Sequence, residues 1–461
     1  VVVKTGPTME LARFAAHLKY EDIPPEVLGK EKAHLLDGLG NGLYGSRAEL
    51  GQRLIEFARE FRGPAEAALW GGGFRTSCLY AALVNGSLAN VTEMEDAHHR
   101  TKFKPNTLIV PAGLALGERL GAAGRELLTA LVVGNEVGIR LGEATHAGRE
   151  AYARGWIGTS VIGGFAAAAA AGRLLGLDDD RMAHALSLGG AQPIGLWAGG
   201  LAMSKRVMIG RAAESGILAA LLAAKGVTGG TQILEAEWGS LPAVVSPAWE
   251  PELVTRGLGS SWKTLEIGLE CYPTKGALHS ALDALLAIVT REGLRGDEID
   301  RIRVRTTTGI VNNRALYVFP PRDFWEAQHS FQYALAVAAW DGACGLEQFA
   351  ETKLCDPRIL DLGRRISLEV DAEADRLSPK TKTAFVEVTT RGGRTYVDRV
   401  DYCRGEPENF LTKPQIEAKF RRVARAALDE PGMARVVDLV DGLEDLADVR
   451  ALTGLLLGAQ A

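Results

Sequence analysis

From Met9 to about Leu234 the apolar residues recur at the three-and-four spacing of an α-helix. A chain patterned this way over half its length has to build a bundle, because an amphipathic helix is stable only when its apolar face is covered. The punctuation agrees. Pro24-Pro25 opens a predicted helix from Glu26 to Leu43, and Gly45 with Ser46 closes it. Further helices are predicted over Ser77 to Asn90, Pro111 to Leu120, Gly124 to Arg140, Ile162 to Leu175, Asp180 to Leu188 and Lys205 to Ala224.

Near Tyr272 the texture changes. After a predicted helix from His279 to Arg291 come three β-branched, alternating runs, Ile299 to Thr307, Ile366 to Val370 and Thr383 to Thr390, with helical stretches at Ser330 to Ala339 and Leu346 to Phe349. The tail from Lys413 to Leu428 is helical again. At 461 residues the chain exceeds the size at which one core stops growing. The expectation is a mainly α protein, with an all-helical domain over 1–264 and 401–461 and a smaller α+β domain over 265–400.

Gly155 to Gly172 carries no charge and approaches the roughly 20 residues that cross a bilayer. Its core is Gly and Ala, however, and small side chains let helices approach closely, so a buried helix is expected and no membrane association. Net charge is −5, which leaves no basic balance to hold nucleic acid or anionic lipid; an anionic ligand has to be attracted by a local cluster. The five cysteines are scattered, without a CxxC pair or zinc spacing, and Val1 to Thr8 lacks the pattern of a secretory leader. A reduced, cytoplasmic protein without a structural metal is expected.

Several segments occur in a telling order: Leu35-Leu36-Asp37-Gly38-Leu39-Gly40; Ala82 to Asn90 with Asp96; Gly155-Trp156 before the Ala-rich helix; Ser204-Lys205 with Gly210-Arg211-Ala212-Ala213; Gly226-Val227-Thr228-Gly229; Tyr272-Pro273 with His279; His329-Ser330-Phe331-Gln332-Tyr333; and Arg404-Gly405 with Pro407 before Lys419-Phe420. Together they resemble the MmgE/PrpD family, which contains 2-methylcitrate dehydratase, cis-aconitate decarboxylase and an iminodisuccinate epimerase. The resemblance implies a homodimer, an all-α domain with an α+β domain, a small carboxylate substrate, and no metal or organic cofactor.

The reactions of such a family share one demand: a proton is moved at carbon beside a carboxylate, and the negative charge that results is stabilised by cations and a tuned acid or base. By position Lys205 matches the family's active-site lysine and is assigned to catalysis; without the match it reads as a solvated lysine at a helix start. Tyr333 matches the tyrosine segment of the decarboxylases, where a phenol protonates carbon or holds an oxyanion; alone it reads as a core tyrosine. Glu93 to Lys104 is the densest polar cluster. In it Asp96 falls on the family's aspartate pattern, and His98 or His99 has a side chain suited to proton transfer near neutrality. Lys104, Lys275 and His279 complete the expected substrate-binding set with Asp96.

This sequence also departs from the family pattern. Lys104-Pro105-Asn106 stands where relatives have a histidine before Pro-Ser, and Ala97 replaces the decarboxylases' threonine. Ile157 replaces a histidine after Gly155-Trp156, Glu270 a lysine, and Lys275 a histidine or cysteine. Lys104, Lys205 and Lys275 still suit an acid with more than one anionic group. The expected activity is a cofactor-independent lyase, dehydratase or decarboxylase, acting on a small di- or tricarboxylate. The alternatives are an epimerase or isomerase, and a ligand-binding relative that has lost catalysis.

Overall fold

The computed structural model describes residues 5–192 and 195–458. Residues 1–4, part of the stretch read above for a leader, lie outside the described residues. The chain divides into two compact units. The larger comprises Val1–Val91, Glu95–Gly268 and Thr412–Ala461, and the smaller comprises Thr92–Met94 and Leu269–Leu411.

The longer helices of the large unit are α1 (Pro7–His17), α2 (Pro25–Gly45), α3 (Glu49–Glu60), α4 (Cys78–Ala89), α5 (Ile109–Leu120), α6 (Gly124–Ala144), α7 (Gly158–Leu174), α8 (Asp179–Gly190) and α9 (Ser204–Ala224). A two-residue hairpin, β1 (Ala67–Ala68) with β2 (Arg75–Thr76), precedes α4. The small side chains of α7 do what the sequence suggested. From Thr159 to Gly172 every residue is buried, and α7 packs on α5, α6, α8 and α9. Of the helices, α9 is long and apolar enough to cross a membrane, yet it packs on α4, α7 and α8 with 56% of its apolar window buried.

Gly210-Arg211-Ala212-Ala213 proves to be a packing motif. A side chain at Gly210 would meet the Leu83 carbonyl oxygen at 2.0 Å, and one at Gly86 would meet the Gly210 Cα at 3.0 Å. Two glycines therefore let α9 and α4 cross nearly backbone to backbone, which sets where Lys205, one turn earlier, begins its helix.

The small unit is built on α10 (His279–Glu292) and a four-stranded sheet of β3 (Ile299–Thr306), β4 (Ile366–Val370), β5 (Ala384–Thr390) and β6 (Thr395–Val400), in the order β4-β3-β5-β6. β3 runs parallel to β4 and antiparallel to β5, with Val304 opposite Leu368 and Val386. Ile302, Val304 and Thr306 point inward, while Arg301 and Arg303 face solvent, as period-two alternation requires. α10 covers β5 and β6, and α11 (Phe331–Asp341) and α12 (Pro357–Gly363) complete the core. The tail supplies α13 (Lys413–Ala424) and α14 (Glu430–Asp441) to the large unit.

Two differences from the expected organisation stand out. Residues 401–411 belong to the small unit because Leu269 N–H donates to the Gly405 carbonyl and Arg404 N–H to Asp283, while 265–268 stay with the helices. The strand β6 was not expected, and Leu346–Phe349 is one 3-10 turn.

Candidate functional site

In the large unit the loop around β-bridged His98 and Phe103 carries four of the eight predicted residues, Asp96, His98, His99 and Lys104. Phe103 is buried against Gly138 of α6, where a side chain would meet its ring at 2.5 Å. The hydroxyl of Thr159, in the first turn of α7, accepts from Lys104 N–H (3.1 Å) and donates to the Lys102 carbonyl (3.3 Å). Lys102 has φ 54°, a left-handed turn that a lysine adopts at some cost. The loop is thus clamped on α6 and α7, and it brings Glu95, Asp96, Lys104 and Asn106 together.

Lys104 Nζ lies 2.5 Å from Glu95 Oε2, and the backbone N–H of Asn106 faces both carboxyl oxygens of Asp96, at 3.2 and 3.1 Å. Asp96 is buried. Burial drives its carboxyl well above the usual aspartate range; the Asn106 N–H and the Lys104 charge oppose that, while Asp37 and Glu95 reinforce it. Asp96 therefore holds a proton under conditions in which an ordinary aspartate has lost it.

Behind the loop is a group that the sequence reading missed. Glu31, His34, Asp37 and Asn41 lie three or four residues apart on α2 and are all buried. Asp37 pairs with Lys419 of α13 at 2.6 Å and accepts from Asn41 at 3.0 Å. Burial pushes Asp37 up despite Lys419. Burial, reinforced by Asp96, pushes Glu31 up to about 8, although Asn135 donates to it at 2.6 Å. The signal was available: Glu31, His34, Asp37 and Asn41 recur at helical spacing beside the apolar residues of α2.

His98 is buried and already engaged through both ring nitrogens: Nδ1 lies 2.8 Å from the Thr101 hydroxyl and Nε2 3.4 Å from Glu266. His99 is half-buried. Burial would raise the Glu266 carboxyl, but the bonds from His98 and Lys263 and the charges of Lys263 and Arg100 outweigh it and hold the group at about 2. His98, Glu143 and Glu266 bring three donor atoms within 4.8 Å of one another, the one such grouping among the described residues. Arg100 and Lys263 pair with both carboxylates, so an added cation has to displace two charges already in place; the donor set suits an ion-pair network better than a metal. Lys205 is buried in the first turn of α9. Ile157, just before α7, is buried as well.

In the small unit His279 begins α10, buried, with Nε2 3.3 Å from the Thr274 carbonyl and its ring edge-on to Tyr272 at 5.2 Å. Lys275 directly precedes this turn and donates its N–H to the Gln328 carbonyl. One turn beyond His279, Asp283 accepts from the Tyr272 hydroxyl and from the Arg404 N–H (2.6 Å) and Nε (3.0 Å); Arg404 Nη2 also donates to the Tyr272 oxygen at 2.6 Å. Arg404 is thereby held in one orientation while remaining half-exposed, a geometry that receives a carboxylate well.

Tyr333 departs from its expected role. It is buried in the small unit's core against Phe349, and its hydroxyl donates to the Gln348 carbonyl at 2.6 Å. Burial raises the phenol further from any neutral-pH proton transfer. Tyr317, in the same unit and edge-on to Phe331, is 47% exposed, and its hydroxyl donates to the Val311 carbonyl at 2.6 Å.

The MmgE/PrpD N-terminal domain matches residues 9–252, and the MmgE/PrpD C-terminal domain matches residues 272–445. The chain belongs to the MmgE/PrpD family. It is 30% identical over 475 aligned positions to a cis-aconitate decarboxylase of Aspergillus terreus, covering 98% of this chain and 96% of that protein. It is also 30% identical over 459 positions to the human cis-aconitate decarboxylase, covering 96% of this chain and 92% of that one. A cis-aconitate decarboxylase-like protein, oryM, of Aspergillus oryzae is 29% identical over 478 positions. Asp96, Lys104 and Lys205 lie within the N-terminal match, and His279, Asp283 and Arg404 within the C-terminal match.

Proposed function

We propose that this chain is a lyase that decarboxylates a small tricarboxylic acid of the cis-aconitate type, using no cofactor. It is an enzyme of the MmgE/PrpD family, and the observation that carries the reading is its similarity to cis-aconitate decarboxylases over 98% of its length. In such a reaction the carbon–carbon bond to one carboxylate breaks, carbon dioxide leaves, and the electron pair left behind is taken up by a proton. The substrate needs cations at its remaining carboxylates and one acid at carbon. In the large unit Lys104 and Lys205 supply the positive groups in this reading, and Asp96, whose carboxyl is driven upward by burial, supplies the acid. The histidine replaced by Ile157 is not required if the proton comes from Asp96.

Two copies of the chain pair in the proposed assembly. Trp238 is 92% exposed, and Val227 and Leu222, also in and after α9, are each more than a third exposed; these apolar surfaces suit a protein partner better than water.

Proton NMR in deuterated water, with cis-aconitate, 2-methylcitrate and related acids, tests the reading on wild type and Lys205→Ala. Loss of carbon dioxide with one deuterium gained at carbon, abolished by the substitution, is the expected result. Exchange without change of composition identifies an epimerase instead, and loss of water a dehydratase.

A further inference from the structure

The large unit contains an open cavity of about 480 Å³ lined by Ala65, Glu66, Arg75, Glu118, Arg119 and Arg450. None of these residues belongs to the clusters described above. Glu66 directly precedes β1, Arg75 opens β2, Glu118 and Arg119 end α5, and Arg450 opens a short helical turn in the tail.

The acids at this cavity are spent. Glu118, buried, accepts from Arg75 Nε at 2.6 Å through one carboxylate oxygen and from the Ala68 N–H at 2.7 Å through the other. Glu66 accepts from the Cys78 N–H at 3.0 Å and pairs with Arg119 Nε at 3.5 Å. The arginines are tethered and not exhausted. Arg450 Nε donates to the Glu118 carbonyl at 3.0 Å and its Nη1 lies 3.3 Å from Asp448; Arg119 Nη1 reaches the Cys78 sulfur at 3.5 Å. Both terminal nitrogens of Arg75 and Nη2 of Arg119 and of Arg450 have no acceptor among the described residues. Each guanidinium is therefore held through its Nε edge, with donor N–H groups left over at the cavity.

We propose that this cavity is a binding site for a small oxyanion, phosphate or polycarboxylate, held by Arg75, Arg119 and Arg450. Guanidinium donors match the oxygen spacing of either group, and a fixed guanidinium loses less freedom on binding than a mobile one. The three arginines exceed the two lining acids by one positive charge; Asp448, on the far edge of Arg450, lies outside the lining. Ala65 is the one apolar residue in the wall, so the site has nothing against which to bury a base or an acyl chain, and its ligand is compact. Because the site draws on the hairpin, α5 and the tail, an occupant ties three separated segments together and stabilises the folded unit by mass action.

Isothermal titration calorimetry of the full chain with inorganic phosphate and, separately, citrate tests this at matched ionic strength. The expected result is one-site binding of at least one anion, weakened roughly tenfold or more in Arg119→Gln and in Arg450→Gln and unchanged in the control Arg53→Gln. Thermal melts in chloride confirm that the variants fold. Binding of phosphate alone assigns the site to phosphate, and binding of citrate alone to a polycarboxylate. Wild type that binds neither with a Kd below about 10 mM overturns the proposal. So does binding that survives both substitutions, because the anion is then held elsewhere.

Discussion

Lys419 and Asp37 form an ion pair of 2.6 Å in which both side chains are buried, joining α13 in the tail to α2 near the start of the chain. Removing one partner leaves a buried charge uncompensated. Lys419→Met is expected to destabilise the large unit by about 3–5 kcal/mol, whereas Lys419→Met with Asp37→Leu recovers most of that loss, since an apolar pair needs no desolvation. Denaturant titration of both variants checks this. If the double variant is no better than the single one, the ion pair has a role that apolar packing does not replace.

Glu31 gives the fold a distinctive pH response. Its carboxyl titrates at about 8 in the folded chain against 4.5 as its ordinary value, so between those limits the folded state binds more protons than the unfolded one. Stability from this group is therefore fullest below pH 4.5 and declines as pH rises to about 8, by up to about 1.4 kcal/mol per pH unit. Glu31→Gln removes that slope, and the variant should gain on wild type in thermal melts as pH increases. Equal slopes in the two proteins show that Glu31 ionises normally.

Asp96 should lose its chemistry and keep its structure when made an amide. Asp96→Asn still accepts from the Asn106 N–H, yet has no carboxyl proton to give. Turnover of the best substrate is expected to fall by about 10²–10⁴ with an unfolding midpoint close to wild type. Steady-state kinetics beside a thermal melt decides it, and retained turnover transfers the acid role to another group.

α2 and the strand Ile366–Val370 were legible from their apolar periods, and α7 and α9 from long runs of apolar and small residues without a proline or a turn signal. β6 was not: Tyr396 and Val397 sit side by side on opposite faces of an edge strand, and its inward face carries Asp398, so no apolar alternation marks it. That Asp96 and Lys104 lie close together was legible because one short loop carries both. The Asp37 and Lys419 pairing was not, since partners in distant segments meet only after the helices pack, and a sequence does not reveal which charges packing will bury. Tyr333 carried its own warning in the apolar run Phe331 to Ala339, whose mean composition is that of a core helix.

The two tyrosines should separate cleanly. Tyr333→Phe removes a hydroxyl that donates to the Gln348 carbonyl inside the core, at an expected cost of about 1 kcal/mol in stability and little in turnover. Tyr317→Phe removes a hydroxyl at a position 47% exposed, where the Val311 carbonyl is readily satisfied by water, so stability should change by less than about 0.5 kcal/mol. Because Asp96 supplies the acid in the proposed reading, kcat is expected to change by less than about tenfold in either variant. Kinetics and melts on both variants check this. A large kcat loss confined to Tyr333→Phe, with stability unchanged, returns the catalytic role to the buried tyrosine and requires the core around Gln348 to open during turnover.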